Sequence, residues 1–208
     1  MRDHLFIVLE GIDGSGTTTQ ATLLQEYFIA RGERAVISPE PTDGAIGRLI
    51  REAMQKDLLP IADKDRFDEQ MAYLFAADRH YHLYNDRDGV FKLIHQEKTH
   101  VISTRYYFSS LAYNCNTPEE FAFVRQLNHR FPAPDLVVYL DISPDISLQR
   151  IQHRAISEVY EKQEKLIKVR ENFQNIFKEY KENCLQLDAR DTIENLHATI
   201  IGCLEKNR

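Results

Sequence analysis

Short apolar runs alternate along this chain with longer segments in which apolar residues recur every three or four positions. Short apolar runs are typical of buried strands, and the longer spacing is typical of helices that bury one face. The predicted strands are Leu5–Leu9, Arg34–Ser38, His100–Ser103, Asp135–Leu140 and Cys184–Leu187. Because they alternate with helices, we expect an α/β fold with a parallel central sheet of about five strands, covered by helices on both faces.

The helical segments fill the intervals between these strands. Gly32 provides a stop for the first helix, and Asp63 or Asp65 provides an N-cap for the third. No repeat or long linker interrupts the pattern, so we expect one domain over residues 1–208. The predicted helices are Thr18–Arg31, Ile46–Met54, Asp65–Tyr84, Val90–Glu97, Phe108–Tyr113, Glu119–Arg130, Asp145–Arg154, Glu164–Tyr180 and a terminal helix from Thr192.

The composition narrows the class of protein. Hydrophobic residues make up 43% of the 208 and charged residues 28%, which is ordinary for a soluble globular protein. A net charge of −6 argues against a nucleic-acid polymer as partner, since such binders carry a basic excess. No apolar stretch approaches the roughly 18 residues of a membrane span, and no signal pattern begins the chain. Cys115, Cys184 and Cys203 lack metal-ligand or disulfide spacing, so we expect reduced thiols in a cytoplasmic protein.

A glycine-rich segment between the first strand and the first helix indicates nucleotide chemistry. Gly11 ends the apolar run, four residues intervene, and Gly16 begins the helix. This is the spacing of a phosphate-binding loop, in which backbone N–H groups and a helix N-terminus converge on an anion. Thr17 stands where the usual pattern has lysine. The loop therefore keeps its backbone donors but lacks the mobile charge that reaches the β and γ phosphates.

Several further segments are informative when their order and spacing along the chain are considered together. In chain order they are residues 40–47 (Glu-Pro-Thr-Asp-Gly-Ala-Ile-Gly), 50–52 (Ile-Arg-Glu), 74–79 (Leu-Phe-Ala-Ala-Asp-Arg) with His82, 105–106 (Arg-Tyr) with Ser109 and 112–113 (Ala-Tyr), and 134–141 (Pro-Asp-Leu-Val-Val-Tyr-Leu-Asp). Together with the glycine loop, their order and spacing resemble the thymidylate kinases, a family of P-loop nucleoside-monophosphate kinases. The resemblance runs from about residue 5 to residue 189, and the Phe-Ala-Ala-Asp-Arg-x-x-His segment is its most specific part.

The resemblance implies a P-loop NTPase-type three-layer α/β/α fold with a short helical lid at about residues 150–163. It also implies transfer of the γ-phosphoryl group of ATP to dTMP, with Mg²⁺ as cofactor, in a homodimer. The residues expected to bind ATP are Gly11, Ile12, Asp13, Gly14, Ser15, Gly16, Thr17, Thr18, Thr19 and Arg150. The expected catalytic residues are Asp13, Arg105, Arg154 and Glu161, and the expected metal ligands are Thr18 and Asp13.

The same resemblance assigns the acceptor site. Its expected residues are Glu40, Arg51, Phe75, Arg79, Arg105, Ser110 and Tyr113. In the family, the residues matching Phe75 and Arg79 stack on the pyrimidine and donate to its carbonyl, and their spacing places them on one helix face. Arg105 is expected on phosphates, with Glu40 and Arg51 near the phosphate of the acceptor. Ser110 matches a position near the base and Tyr113 a position under the deoxyribose.

Most of these residues also have a structural interpretation. Thr18 could cap the free N–H groups of a helix, and Asp13 could stabilise a turn. Outside this motif, Phe75 and Arg79 would be a core phenylalanine and a solvated arginine. Ser110 and Tyr113 could be ordinary helix packing, and Arg150 and Arg154, which share a helical face, could form surface ion pairs.

The chain departs from the family pattern at four positions. Thr17 replaces the loop lysine, and Thr104 replaces the aspartate before the Arg-Tyr pair. Pro39 stands where many members have arginine, and so does Val159 in the expected lid. The predicted activity is an ATP-dependent dTMP kinase. The alternatives are a nucleotide-binding protein of the same fold with weak or no transfer, and a kinase for another pyrimidine nucleotide.

Overall fold

The structure, a computed structural model, describes residues 4–55, 58–151, 163–180 and 182–206. Within these ranges five strands form one sheet in which every neighbouring pair is parallel. The strands are β1 (Phe6–Glu10), β2 (Arg34–Ile37), β3 (Thr99–Thr104), β4 (Leu136–Asp141) and β5 (Cys184–Asp188). Their order is β2-β3-β1-β4-β5, which places β1 at the centre. All five residues of β1 are buried, as expected for a strand covered on both faces.

The described helices connect the strands and pack against the sheet. They are α1 (Thr17–Ala30), α2 (Ala45–Gln55), α3 (Lys64–Tyr84), α4 (Val90–His95), α5 (Tyr107–Tyr113), α6 (Pro118–Asn128), α7 (Pro144–Ile151), α8 (Gln163–Glu179) and α9 (Ile193–Lys206). α1 contacts β1, β2 and β3 together with α9, whereas α8 contacts β4 and α5. The predicted three-layer α/β/α fold of the P-loop NTPase type is therefore confirmed.

Local sequence explains where several helices begin. The side chain of Asp63 accepts a hydrogen bond of 2.9 Å from the N–H of Arg66, so Asp63, and not Asp65, is the N-cap of α3. Thr117 and Glu120 form a reciprocal capping box at the start of α6. The N-cap of α1 is Gly16, with a φ of 102° and no side-chain cap bond. The alternative in which Thr18 caps this helix is therefore wrong.

Most predicted boundaries differ from the observed ones by one or two residues. α6 ends at Asn128, two residues earlier than predicted, and α4 ends at His95. The helix predicted from Asp145 is α7, which is described as far as Ile151. Arg154, Val159 and Glu161 lie outside the described residues, together with most of the expected lid. No helix within the described residues is long and apolar enough to cross a membrane.

The strand order decides which loops meet. β3 pairs with β1 on one side and β2 on the other, so the segments that follow these three strands lie at one edge of the sheet. The N–H of Arg105 donates to the carbonyl of Leu9, and the N–H of Glu40 donates to the carbonyl of Thr104. Open α/β sheets bind ligands at this carboxyl edge. The fold thus brings the glycine loop, Glu40 and Arg105 together.

Candidate active site

The glycine loop joins β1 to α1 in the form required of a phosphate site. The N–H of Ser15 closes a turn on the carbonyl of Ile12 at 3.0 Å, and α1 begins at Thr17. The free N–H groups and the positive end of the dipole of α1 therefore face the loop. Thr17 is partly buried, whereas Thr18 and Thr19 are exposed at the beginning of the helix.

Gly14 shows why the loop tolerates no side chain at this point. Its φ is 79°, and a Cβ atom would lie 2.7 Å from the carbonyl oxygen of Ser147. The Ser147 hydroxyl donates to the carbonyl of Asp13, and Arg150 donates to the carbonyl of Gly14 at 3.3 Å. α7 therefore packs directly on the loop. Arg150 also donates to the carbonyl of Ala189 at 3.0 Å, so it bonds backbone carbonyls and no described carboxylate.

A pocket opens beside the loop, at the carboxyl edge of β1, β2 and β3. Its empty volume, including the open mouth, is about 820 Å³. All seven residues predicted for the acceptor line it, together with Asp13. The lining residues are Asp13, Glu40, Pro41, Arg51, Met54, Phe75, Arg79, Arg105, Tyr106, Ser109, Ser110, Tyr113 and Asn114.

Arg79 lies at the buried end of this pocket and is held by a polar network. Its side chain is 1% exposed and forms an ion pair of 2.8 Å with Glu40, which is also buried. Its other bonds go to the side-chain oxygens of Asn128 at 2.6 Å and Ser110 at 3.2 Å. His82 lies 3.1 Å from the second oxygen of Glu40. Arg79 is therefore fixed in position, and its Nε–H has no hydrogen-bond partner among the described residues.

Phe75 shares a helical face with Arg79 and is partly buried against the core. The alternative interpretation of Arg79 as a solvated surface residue is wrong, because Arg79 is among the largest fully buried side chains. Ser110 is buried at 2% exposure and serves as an acceptor for Arg79.

Arg105 links the pocket to the glycine loop. One terminal nitrogen of its guanidinium bonds the carboxylate of Asp13, and the other donates to the Ser109 hydroxyl at 3.3 Å. The guanidinium also lies over the ring of Tyr113, 4.9 Å from its centroid. The φ of Arg105 is 79°, in the left-handed region that a non-glycine residue occupies only when its surroundings enforce it. Asp13 is therefore oriented by Arg105 across the edge of the sheet.

Arg51 reaches back from α2 to the loop that follows β2. It donates to the carbonyls of Thr42 at 2.7 Å and of Pro41, and pairs with Asp43 at 3.2 Å. The buried carboxylate of Asp78 holds the same loop by accepting from the N–H and the hydroxyl of Thr42, at 2.7 and 2.6 Å. These bonds fix the loop that carries Glu40.

Two buried polar residues were missed by the sequence analysis, one lining the pocket and one bonded to residues that line it. Asn114, at the C-terminus of α5, is 3% exposed, and both polar atoms of its amide lack a partner among the described residues. Buried amides are normally paired, so Asn114 is suited to a polar ligand group in the pocket. Glu10 is fully buried at the end of β1 and bonds the N-terminus of α5. Its position between the apolar strand and Gly11 was visible in the sequence, but its partners were not.

The oxygen ligands available at the loop fit a magnesium ion. Mg²⁺ keeps several waters and takes one or two protein oxygens besides those of phosphates. The Asp13 carboxylate and the Thr18 hydroxyl lie on the loop and on the first turn of α1, and both are oxygen donors. No group of three or more His, Cys, Asp or Glu side chains able to hold a metal occurs in the described part of the chain. A metal here would therefore depend on the phosphates for most of its non-water ligands.

A family model and individual relatives both match this chain over most of its length. The chain matches the family model described as thymidylate kinase over residues 9–200. It is 39% identical over 207 residues to a protein named "Probable thymidylate kinase" from Thermococcus onnurineus, covering 97% of each chain. It is 37% identical over 205 residues to a protein of the same name from Thermococcus gammatolerans, covering 97% of this chain and 96% of the relative. The match spans both the glycine loop and the pocket, and the chain therefore belongs to the thymidylate kinase family.

Proposed function

We propose that this protein is an ATP-dependent dTMP kinase that transfers the γ-phosphoryl group of ATP to dTMP and forms dTDP. The observation that carries the proposal is the pocket at the carboxyl edge of the sheet. It collects all seven residues predicted for the acceptor and lies beside a phosphate-binding loop. Membership of the thymidylate kinase family supports the same substrate class.

The lining of the pocket supports a pyrimidine nucleotide as acceptor. Phe75 offers an aromatic face for the base, and Arg79 and Asn114 offer donors and an acceptor for its polar edge. Tyr113 and Arg105 stack on each other between this region and Asp13, where the deoxyribose and the phosphate would lie. The base therefore enters the buried end, and the phosphate faces the loop.

The loop and the arginines support transfer. Phosphoryl transfer needs alignment and charge neutralisation more than covalent chemistry. The N–H groups of residues 11–16 and the N-terminus of α1 would hold the β and γ phosphates of ATP. Asp13 and Thr18 would hold Mg²⁺, which neutralises phosphate charge when bound. Arg105, fixed by Asp13 and Ser109, is positioned to contact the phosphates from the acceptor side.

A coupled assay of ADP release tests the function. With ATP and Mg²⁺, dTMP is expected to give a kcat/KM at least about tenfold above those of dUMP, dCMP and the purine monophosphates, the discrimination of one well-placed contact. If another pyrimidine monophosphate gave the highest kcat/KM, that nucleotide and not dTMP would be the acceptor. Calorimetric binding of ATP and dTMP without any ADP release would favour a nucleotide-binding role instead.

Thr17 gives the second test of this proposal. A lysine at this position would add a charged contact to the transferring phosphoryl group, so Thr17→Lys is expected to raise kcat about tenfold, the value of one charged hydrogen bond. Thr22→Lys is the matched control, because it adds the same charge at an exposed position five residues further along α1. Single-turnover kinetics of both variants measures the effect.

An unchanged kcat in Thr17→Lys would mean that another cation already supplies this charge. The candidates are Arg150 and Arg105, which both contact the loop, and Arg154, which lies outside the described residues. Arg154→Ala is then expected to lower turnover far more than ATP binding. Full turnover in Arg154→Ala, together with an unchanged kcat in Thr17→Lys, would contradict the idea that Arg154 replaces the missing loop lysine.

We also propose that the protein is a homodimer, as the family resemblance implies, and that it is cytoplasmic, as the spacing of its cysteines indicates. Apolar side chains on α2 and α3 remain exposed in the single chain, including Leu49 at 38% and Tyr73 at 47%. Large exposed apolar groups on neighbouring helices are suited to a second copy. Sedimentation equilibrium would give twice the chain mass for a dimer and the chain mass for a monomer.

A further inference from the structure

Glu10 joins the central strand to the helix that lines the pocket. It is the last residue of β1 and is fully buried. One carboxylate oxygen accepts from the N–H of Tyr106 at 2.7 Å and of Ser109 at 3.3 Å. The other oxygen accepts from the Ser109 hydroxyl at 2.7 Å. All three bonds connect residues more than 90 positions apart in the sequence.

These bonds replace a local helix cap. Tyr106 is the N-cap residue of α5, and no side-chain cap bond forms there. The first N–H groups of a helix need acceptors from elsewhere, and a carboxylate at this end is also favoured by the helix dipole. Glu10 provides that acceptor from a different element. It therefore fixes α5, which carries Ser110 and Tyr113, to the strand that leads into the glycine loop.

The same carboxylate acts on Arg105 through a directed chain of hydrogen bonds. Arg105 donates to the Ser109 hydroxyl at 3.3 Å, and Ser109 donates its own proton to Glu10. The second terminal nitrogen of Arg105 bonds Asp13. If the carboxylate were protonated at the oxygen facing Ser109, the Ser109 hydroxyl could no longer donate its proton to that oxygen, and the directed chain from Arg105 to Glu10 would be lost.

We infer that Glu10 is a positioning residue for phosphoryl transfer, because its carboxylate orients Arg105 through Ser109 and fixes the beginning of α5. This inference rests on the proposed function and deepens it. Arg105 is the group expected to touch phosphates, and its backbone at this point is in a conformation that its neighbours must maintain. Glu10 is the buried charge placed to maintain it.

Charge gives the inference a distinctive experimental readout. Burial raises the pKa of Glu10 to about 7, although the bonds from Ser109 and the N–H of Tyr106 and the charge of Arg105 lower it. Glu40 faces it from the loop after β2 and raises the pKa further, and Tyr107 faces it from α5. The bond from the Ser109 hydroxyl requires an ionised oxygen, so the orientation of Arg105 is expected to improve as pH rises through 7.

The test compares Glu10→Gln and Ser109→Ala with wild type between about pH 5.5 and pH 9. Glu10→Gln keeps the size of the side chain but not its charge. Its kcat/KM for dTMP is expected to fall about tenfold or more, as for a displaced catalytic group, while KM for ATP changes by less than about twofold. In the pH profile of kcat/KM, the fall at acid pH that is due to Glu10 should disappear, and only the fall due to protonation of the dTMP phosphate should remain. In Ser109→Ala the acid limb should become smaller, because the hydroxyl that links Glu10 to Arg105 is lost. What remains of the limb should move to higher pH, because a bond that lowers the pKa of Glu10 is lost as well.

Asp68→Asn is the matched control, since Asp68 is a buried carboxylate paired at 3.1 Å with Lys165. It should keep the wild-type pH profile. The same loss in Asp68→Asn, or a wild-type profile in folded Glu10→Gln, would overturn the inference. If Glu10→Gln does not fold, Ser109→Ala decides, and an unmoved limb in that variant would overturn it.

A measurement without turnover separates this inference from the proposed function. The nitrogen NMR signals of the Arg105 guanidinium should shift in Glu10→Gln and Ser109→Ala but not in Asp68→Asn. Unshifted signals would contradict the role of Glu10 even in an active enzyme. Wild-type protein that transfers nothing to dTMP would contradict the function, and the Arg105 signals would still test Glu10.

Discussion

Replacement of Arg79 by alanine is expected to lower the free energy of unfolding by about 3–5 kcal/mol, the cost of removing one partner of a buried ion pair. Arg79 is 1% exposed and lies 2.8 Å from Glu40, so its loss leaves a buried carboxylate whose other ion-pair partner among the described residues is His82. The bonds to Asn128 and Ser110 disappear as well. Urea unfolding followed by fluorescence or circular dichroism measures the change.

The same variant is expected to bind dTMP more weakly by about 1.5–3 kcal/mol, the range for a lost charged hydrogen bond. Calorimetry on the folded fraction, at a temperature below the onset of unfolding, measures this term separately. Arg125→Ala is the control, because Arg125 forms an exposed ion pair of 2.9 Å with Glu179. An exposed pair contributes about 1 kcal/mol at most, so both quantities should stay near wild type. Unchanged dTMP affinity in folded Arg79→Ala would refute its role in binding the base.

The second large effect is expected for Arg105. Arg105→Gln should lower kcat by about 10²–10³, the loss seen when one group that stabilises developing charge is removed. ATP should still bind, because the N–H groups of the loop and α1 do not depend on this side chain. Arg105→Lys should recover only part of the activity, since lysine keeps the charge but cannot bridge Asp13 and Ser109 with a planar fork.

Lys98 offers an unusually close control for this experiment. It precedes β3 as Arg105 follows it, it is exposed, and its φ is also positive, at 53°. Lys98→Gln therefore makes a similar change in charge and backbone setting at the opposite end of the strand. Rapid-quench kinetics should show wild-type phosphoryl transfer for Lys98→Gln. Equal losses in the two variants would mean that Arg105 acts through the fold and not through the phosphates.

The sequence by itself determined the class of fold. Each strand is an apolar run placed between helical segments, and such local patterns are visible in any short window of residues. The spacing of Gly11 and Gly16 likewise identified the phosphate loop, because a tight turn into a helix N-terminus is a local device. Phe75 and Arg79 were placed on one face by helical spacing alone, and the structure lines one pocket with both.

The tertiary structure decided how the charged side chains are paired. Glu40 bonds Arg79 across 39 positions of sequence and Glu10 bonds Tyr106 across 96, and neither pairing leaves a local pattern. These contacts exist because β1, β2 and β3 lie side by side and end at one edge of the sheet. The unpaired amide of Asn114 is of the same kind, since only burial makes an asparagine informative. Local propensity specifies helices and strands, whereas the partners of a buried charge depend on which strands are neighbours.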